Sequence, residues 1–145
     1  MQIEVDQSGK LENTGTHTVL AFSNDESRSV LIPAVEKRRC QQALRGKRGK
    51  QHIWVFQVFA AALFLLVGGK WGEVDTVVID IEYPGRQGDI KGKLLELTNK
   101  SGQRPQVFFR KVGKRSVAHT RAITTYRGNM PPDQVLTAED ILRVL

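Results

Sequence analysis

Residues 53–67 form a continuous apolar stretch in which Gln57 is the only polar residue. A helix of this composition has no polar face, so it must be covered on several sides by protein or lie in a membrane. The stretch is shorter than the ~20 residues that cross a bilayer, and it ends at Gly68 and Gly69. We therefore expect a buried central helix; the alternative is a membrane-anchored protein, which basic flanks at Lys50 and Lys70 would suit.

The segments around this helix predict an α/β domain. Strand-like segments of alternating or β-branched residues lie at 2–6, 16–22, 29–32, 76–83 and 106–112. Helical composition or spacing lies at 34–44, 53–67 and 89–97, after Ser116 and after Thr137. This order predicts a mixed five-stranded sheet, three antiparallel strands and then parallel strands, with flanking helices. We expect one domain over residues 1–127 and a tail over 128–145 with a short helix.

Charge is unevenly distributed along a chain whose formal net charge is +7. Residues 1–36 carry six acidic and two basic side chains, whereas residues 37–50 carry seven basic and no acidic ones. Residues 86–121 carry ten basic and two acidic side chains. A positive face of this kind is typical of proteins that bind polyanions, although a solvated basic surface without a ligand has the same composition.

Cysteine content and the first residues predict the compartment. Cys40 is the single cysteine, which excludes a disulfide framework and a cysteine-rich zinc module. The opening residues lack the basic and then apolar pattern of a secretory signal. We expect a cytoplasmic protein that is not inserted in a membrane, and a structural role for Cys40.

Three carboxylates are candidate metal ligands. Asp6 ends the first strand-like segment, and Asp80 and Glu82 lie two residues apart in the fourth, which would place them on one face. Carboxylates in an apolar strand are costly to bury unless they are paired or bind a cation. Oxygen ligands favour Mg²⁺ or Mn²⁺, while pairing with an arginine is the alternative. His119, at the start of a helix and beside Arg121, is a further candidate ligand.

The element order and three short motifs resemble the ribonuclease H-like superfamily, in particular its Holliday-junction-resolvase-like branch. Residues 6–15 (DQSGKLENTG) resemble the opening motif of ribonuclease H, with Asp6 as the leading metal ligand. Glu82 matches the second strand-end carboxylate, and residues 119–122 (HTRA) match the terminal-helix motif with His119 in place of aspartate. The chain departs from the family at Gln7, where glycine is usual, and in the absence of a carboxylate from residues 53–67.

The resemblance implies a metal-dependent nuclease that hydrolyses nucleic-acid phosphodiesters by a two-metal mechanism. Asp6, Glu82 and His119 would be catalytic, and Asp80 would be a further ligand of Mg²⁺ or Mn²⁺. The alternative is a non-catalytic nucleic-acid-binding or scaffold protein on the same fold. A homodimer is also plausible, since the apolar helix could be covered by a second copy. The basic side chains expected to contact nucleic acid are Arg38, Arg39, Lys47, Arg48, Lys114, Arg115 and Arg121.

Overall fold

The computed structural model describes residues 1–45 and 53–145. Its centre is a mixed sheet with the strand order β5-β4-β1-β2-β3-β6. The strands are β1 (Gln2–Ser8), β2 (Thr18–Ser23), β3 (Ser27–Ile32), β4 (Thr76–Ile79), β5 (Gln106–Phe109) and β6 (Gln134–Val135). β1, β2 and β3 form the expected antiparallel meander, and β4 and β5 continue from β1 in parallel.

The prediction of five strands is wrong by one, because the tail supplies a sixth. β6 has two residues and pairs in parallel with β3. The Asp133 and Leu136 backbone N–H groups extend the pairing by donating to the Ser29 and Leu31 carbonyls. Two exposed residues after Pro131 and Pro132 give no alternating pattern, so this strand depends on a partner distant in sequence.

Two layers of helices flank the sheet. The helices are α1 (Ala34–Leu44), α2 (Ile53–Val67), α3 (Gln87–Lys100), α4 (Val117–Tyr126) and α5 (Ala138–Val144). α2 packs on one face of the sheet with α1, α3 and α5 around it, and α4 packs across β1, β2 and β3 on the other face. The Ser116 hydroxyl caps α4 by accepting from the Ala118 N–H.

The apolar helix α2 is covered within the chain, as the sequence predicts. Val58, Phe59 and Leu63 are at most 1% exposed in a core shared with the sheet. With the 3₁₀ segment that follows, Ile53–Glu73 is long and apolar enough to cross a membrane, but 61% of its most apolar window is buried. The structure is thus consistent with the core helix of a soluble protein. Since α2 already has cover, it gives no further reason for a homodimer, which stays a prediction.

The last residues belong to the same core. Leu136 and Ile141 are fully buried, and α5 contacts both α1 and α2. A capping box starts α5, in which the Thr137 and Asp140 side chains each accept from the other's backbone N–H. Residues 128–145, expected as a tail, therefore help to cover α2.

Alternation along β1 directs functional and core residues to opposite faces. Ile3 and Val5 face α2, whereas Asp6 faces α4. On β2, Leu20 and Phe22 likewise join the α2 core, while Ala21, the register partner of Asp6, packs with Ala122 of α4. The site therefore lies on the α4 face of the sheet.

Candidate metal centre

Asp6, Asp80 and Glu82 come together beyond the carboxyl end of β4. One carboxylate oxygen from each residue lies within 4.8 Å of the other two. Asp6 is buried, and Asp80 and Glu82 are partly buried. Within the described residues, this is the group of acidic, histidine and cysteine side chains whose spacing suits a metal ion. The three candidates named from the sequence are thus neighbours in space.

Asp80 and Glu82 lie just beyond the end of β4, whereas the sequence predicts them inside that strand. β4 ends at Ile79, not at Tyr83, and β5 ends at Phe109 rather than at residue 112. Parallel pairing nevertheless continues briefly, because the Asp80 N–H donates to the Val5 carbonyl and the Arg110 N–H donates to the Ile79 carbonyl. The Asp80 Oδ1 then accepts from the Val112 N–H at 2.8 Å, which orients its carboxylate after the strand has ended.

Both oxygens of Asp6 have hydrogen-bond partners. Oδ1 accepts from the Gln7 N–H at 2.8 Å, and Oδ2 lies 2.7 Å from His119 Nδ1. An ionised carboxylate only accepts, so Nδ1 carries the proton and Nε2 keeps a lone pair when the imidazole is neutral. His119 is therefore joined to the acidic cluster through Asp6.

Ionisation of Asp6 and Glu82 is unfavourable in the acidic cluster. The pKa of Glu82 is raised to about 8. Burial is the largest cause, followed by the hydrogen bond and the charge of Asp80 and then by the charge of Asp6. Burial also raises the pKa of Asp6, against opposing hydrogen bonds from Gln7 and His119. A bound cation would remove both penalties. A cluster of carboxylate oxygens is the kind of site that binds Mg²⁺ or Mn²⁺.

We expect the substitution Glu82→Gln to stabilise the metal-free protein in a pH-dependent way. The folded state retains the Glu82 proton up to about pH 8, whereas the unfolded state loses it near 4.5, so wild-type stability falls across this window as pH rises. Glutamine removes this loss. The variant should match wild type near pH 4.5 and exceed it by about 1–2 kcal/mol, roughly 2–8 °C in Tm, above pH 8.

Thermal unfolding in the presence of a chelator, followed by circular dichroism at a series of pH values, measures this difference. The exposed Asp25→Asn in the β2–β3 turn is the matched control and should show no pH-dependent gain. A difference between wild type and Glu82→Gln that is flat from pH 4.5 to 8 would contradict the prediction.

A cleft of about 630 Å³ opens beside the acidic cluster. Its lining combines acidic, basic and apolar side chains with one glycine: Asp6, Asp80, Ile81, Lys111, Gly113, Lys114 and His119. Lys111 and Lys114 are exposed, so their ammonium groups are accessible to an anion entering the cleft. Lys114 and His119 are among the residues that the sequence predicts to be functional, and Lys111 adjoins Arg110 in the same basic segment.

Gln7 and Tyr83 support the site in a way that sequence reasoning missed. The buried Gln7 side chain donates from Nε2 to the Tyr83 hydroxyl at 3.0 Å and to the Gly9 carbonyl at 3.1 Å. The Tyr83 hydroxyl also accepts from the Leu11 N–H. These bonds tie the segment that carries Asp80 and Glu82 to the loop after Asp6. The departure from the family pattern at Gln7 is the sequence signal that could have pointed to this contact.

A buried lysine closes the loop between β1 and β2. Lys37 of α1 is fully buried, and its ammonium group donates to the Lys10 carbonyl, the Asn13 carbonyl and the Thr18 hydroxyl. Burial lowers the pKa of Lys37 to about 8, while the charge of Glu12 opposes this shift. Lys37 therefore has a structural role and is not part of the exposed basic surface.

The other basic candidates occupy different places. Arg38 and Arg39 are exposed on α1, where Arg38 donates to the Thr14 carbonyl and Arg39 pairs with Glu36. Arg115 is exposed near the cleft residue Lys114. The Arg121 side chain is 13% exposed and donates to Asp133, so its charge is already paired. Lys47 and Arg48 lie outside the described residues.

The sequence predicts that the basic segment at residues 37–50 binds nucleic acid. If it does, reversing the charge of Arg38 and Arg39 together with Lys47 should weaken that binding uniformly across sequences and flatten its salt dependence. Phosphate contacts carry no sequence information, which is why the loss should be uniform. Fluorescence anisotropy over a salt series measures both quantities. Arg143→Glu on α5 is a control at another exposed arginine. An unchanged affinity and salt slope would identify the segment as a solvated face without a ligand.

The fold and the site together define an α/β domain with a mixed six-stranded sheet and a carboxylate cluster beyond the end of a parallel strand. No family model matches the chain, and no curated protein or solved structure matches it.

Proposed function

We propose that the protein is a divalent-metal-dependent nuclease of the ribonuclease H-like type, which hydrolyses phosphodiester bonds of nucleic acid. The observation that carries this proposal is the convergence of the Asp6, Asp80 and Glu82 carboxylates within 4.8 Å of one another. The pKa values of two of these groups, Asp6 and Glu82, are raised because the cluster penalises their ionisation, and a cation bound among the three carboxylates would relieve that penalty.

The order of elements supports the superfamily resemblance. Three antiparallel strands come first, and β4 and β5 then add in parallel with helices between them, followed by α4 with His119. The resemblance to the superfamily rests on this order of elements. The family's leading aspartate, second carboxylate and terminal-helix residue would correspond to Asp6, Glu82 and His119. In this chain Glu82 lies in the acidic cluster with Asp6, and His119 contacts Asp6.

The donor set fits Mg²⁺ or Mn²⁺, because all three side chains of the cluster offer carboxylate oxygens. Asp6, Asp80 and Glu82 would hold the metal. When bound, the metal would activate water and stabilise the leaving oxygen of the phosphodiester.

The chain's own residues would position the substrate and move a proton. Lys111 and Lys114 at the cleft would hold phosphate oxygens by charge. The Gln7 N–H and His119 orient the Asp6 carboxylate through its two oxygens. With Nδ1–H donated to Asp6, His119 Nε2 is the basic atom that can accept a proton at the cleft.

Calorimetric titration of Mn²⁺ into wild type, Asp80→Asn and Glu82→Gln tests the proposal. We expect binding to wild type and at least a tenfold loss of affinity in each variant, since each removes one charged ligand. The control Asp25→Asn should bind as wild type does. Cleavage assays on branched, hybrid, duplex and single-stranded substrates then follow with the same variants.

Nucleic-acid binding without metal-dependent cleavage of any of these substrates would favour the alternative, a non-catalytic binding or scaffold protein. Mn²⁺ binding that survives both substitutions would place the ion elsewhere and would contradict the assignment of the site.

A further inference from the structure

We propose that Phe108 is a base-stacking platform beside the metal cleft, so that the site acts on single-stranded or locally unpaired nucleic acid. This inference rests on the proposed function for its choice of substrate, and it names the substrate class for that same site. It stands on the position of Phe108 in the sheet, on its exposure and on the charge of the segment that carries it.

Phe108 lies on the same face of the sheet as Asp6. Pairing places Glu4 of β1 opposite Val78 of β4, and Val78 opposite Phe108 of β5, so these three side chains form one row. Asp6 is two residues beyond Glu4 and belongs to the same face. On β5 itself, Val107 and Phe109 pack toward the α2 core, which directs Phe108 away from it.

This row adjoins the metal site. The next row toward the carboxyl ends of the strands contains Asp6, Asp80 and Arg110. With about 4.8 Å between strands and 3.3 Å per residue, the Phe108 backbone is about 8 Å from that of Asp80. Such a distance corresponds to roughly two or three stacked nucleotides of one strand. A strand with its phosphate at the metal cleft would therefore bring a nearby base to Phe108.

The Phe108 side chain is about half exposed to solvent although the residue lies in a strand. α4 packs across β1, β2 and β3 on this face, and the Phe108 side chain at the β5 edge remains 52% exposed. Ile81, which lines the cleft, is also exposed. An aromatic ring in such a position is well suited to stack on a base, and stacking tolerates every base because each has a π-face.

The charge around Phe108 favours a polyanion over a second copy of the chain. Residues 104–115 carry five basic and no acidic side chains. Glu4, which faces them on this side of the sheet, is paired with Arg110 at 3.7 Å. A symmetric contact between two copies at this surface would bring like charges together, whereas nucleic acid supplies phosphates to them.

Fluorescence anisotropy with a labelled single-stranded oligonucleotide and with a duplex of the same sequence tests the inference. Measurements in chelator prevent metal-dependent cleavage. Phe108→Ala and Phe108→Leu should each weaken single-strand binding about tenfold, whereas Phe108→Trp should retain it, because only tryptophan preserves an aromatic surface. The salt slope should stay unchanged in all three, since phosphate contacts are kept. Val135→Ala, an equally exposed position on β6 at the opposite edge, is the control.

Different experimental results would overturn the role of Phe108 and the proposed function. Metal-dependent cleavage together with wild-type single-strand affinity in Phe108→Ala overturns the inference alone. Phe108-dependent binding in a protein without Mn²⁺ affinity overturns the proposed function alone. Sedimentation of wild type and Phe108→Ala completes the test: a dimer that becomes monomeric, with oligonucleotide affinity unchanged, would make this face a contact between copies and would also overturn the inference.

Discussion

The substitution Asp6→Asn should abolish the proposed metal-dependent hydrolysis, with a loss of about a thousandfold or more in kcat, or ~4 kcal/mol of transition-state stabilisation. Asp6 is the most buried of the three carboxylates, at 4% exposure, and it alone contacts His119. Asparagine preserves the shape and one oxygen acceptor but removes the charge that would hold the metal. Single-turnover cleavage of a labelled oligonucleotide in Mn²⁺ measures the effect.

Folding must be separated from chemistry in this experiment. Because burial raises the pKa of Asp6, removing its charge should leave the metal-free Tm unchanged or higher. The addition of Mn²⁺ should raise the Tm of wild type but not that of Asp6→Asn. The control Asp25→Asn should cleave at the wild-type rate. Cleavage by Asp6→Asn within tenfold of wild type would remove Asp6 from the catalytic site.

The second large effect is expected in the core. Phe59→Ala in α2 should lower the free energy of unfolding by about 3–5 kcal/mol, because it leaves a cavity at a fully packed position. Phe59 is 1% exposed, and its ring packs edge-on against Tyr83 with centroids 6.1 Å apart. Urea denaturation followed by circular dichroism measures the loss, which corresponds to roughly 6–20 °C in Tm.

Ile53→Ala is the matched control in the same helix. Ile53 is 36% exposed at the start of α2, so its truncation should lower the free energy of unfolding by less than about 1 kcal/mol. Equal losses at Phe59 and Ile53 would show that α2 is not packed in solution as the structure describes.

The end of β4 and the strand in the tail are not predictable from the sequence. The apolar run after Thr76 predicts a strand but not its end, because residues 81–83 continue the pattern after the last pairing of this segment, at Asp80, has ended. β6 gives no pattern at all and forms only because β3 offers an edge to pair with. Gln7 is likewise explained only by Tyr83, 76 residues away along the chain.

Elements whose side chains carry a local signal can be predicted from the sequence alone. The all-apolar composition of residues 53–67 requires cover, the alternation of β1 separates Asp6 from Ile3 and Val5, and Ser116 and Thr137 cap their helices. Which distant groups contact each other depends on how the whole chain packs. Asp6, Glu82 and His119 are far apart along the chain. Parallel pairing of β1 with β4 brings Glu82 close to Asp6, and packing of α4 on the sheet brings His119 to Asp6. Such contacts depend on chain closure over many residues, which no local pattern encodes.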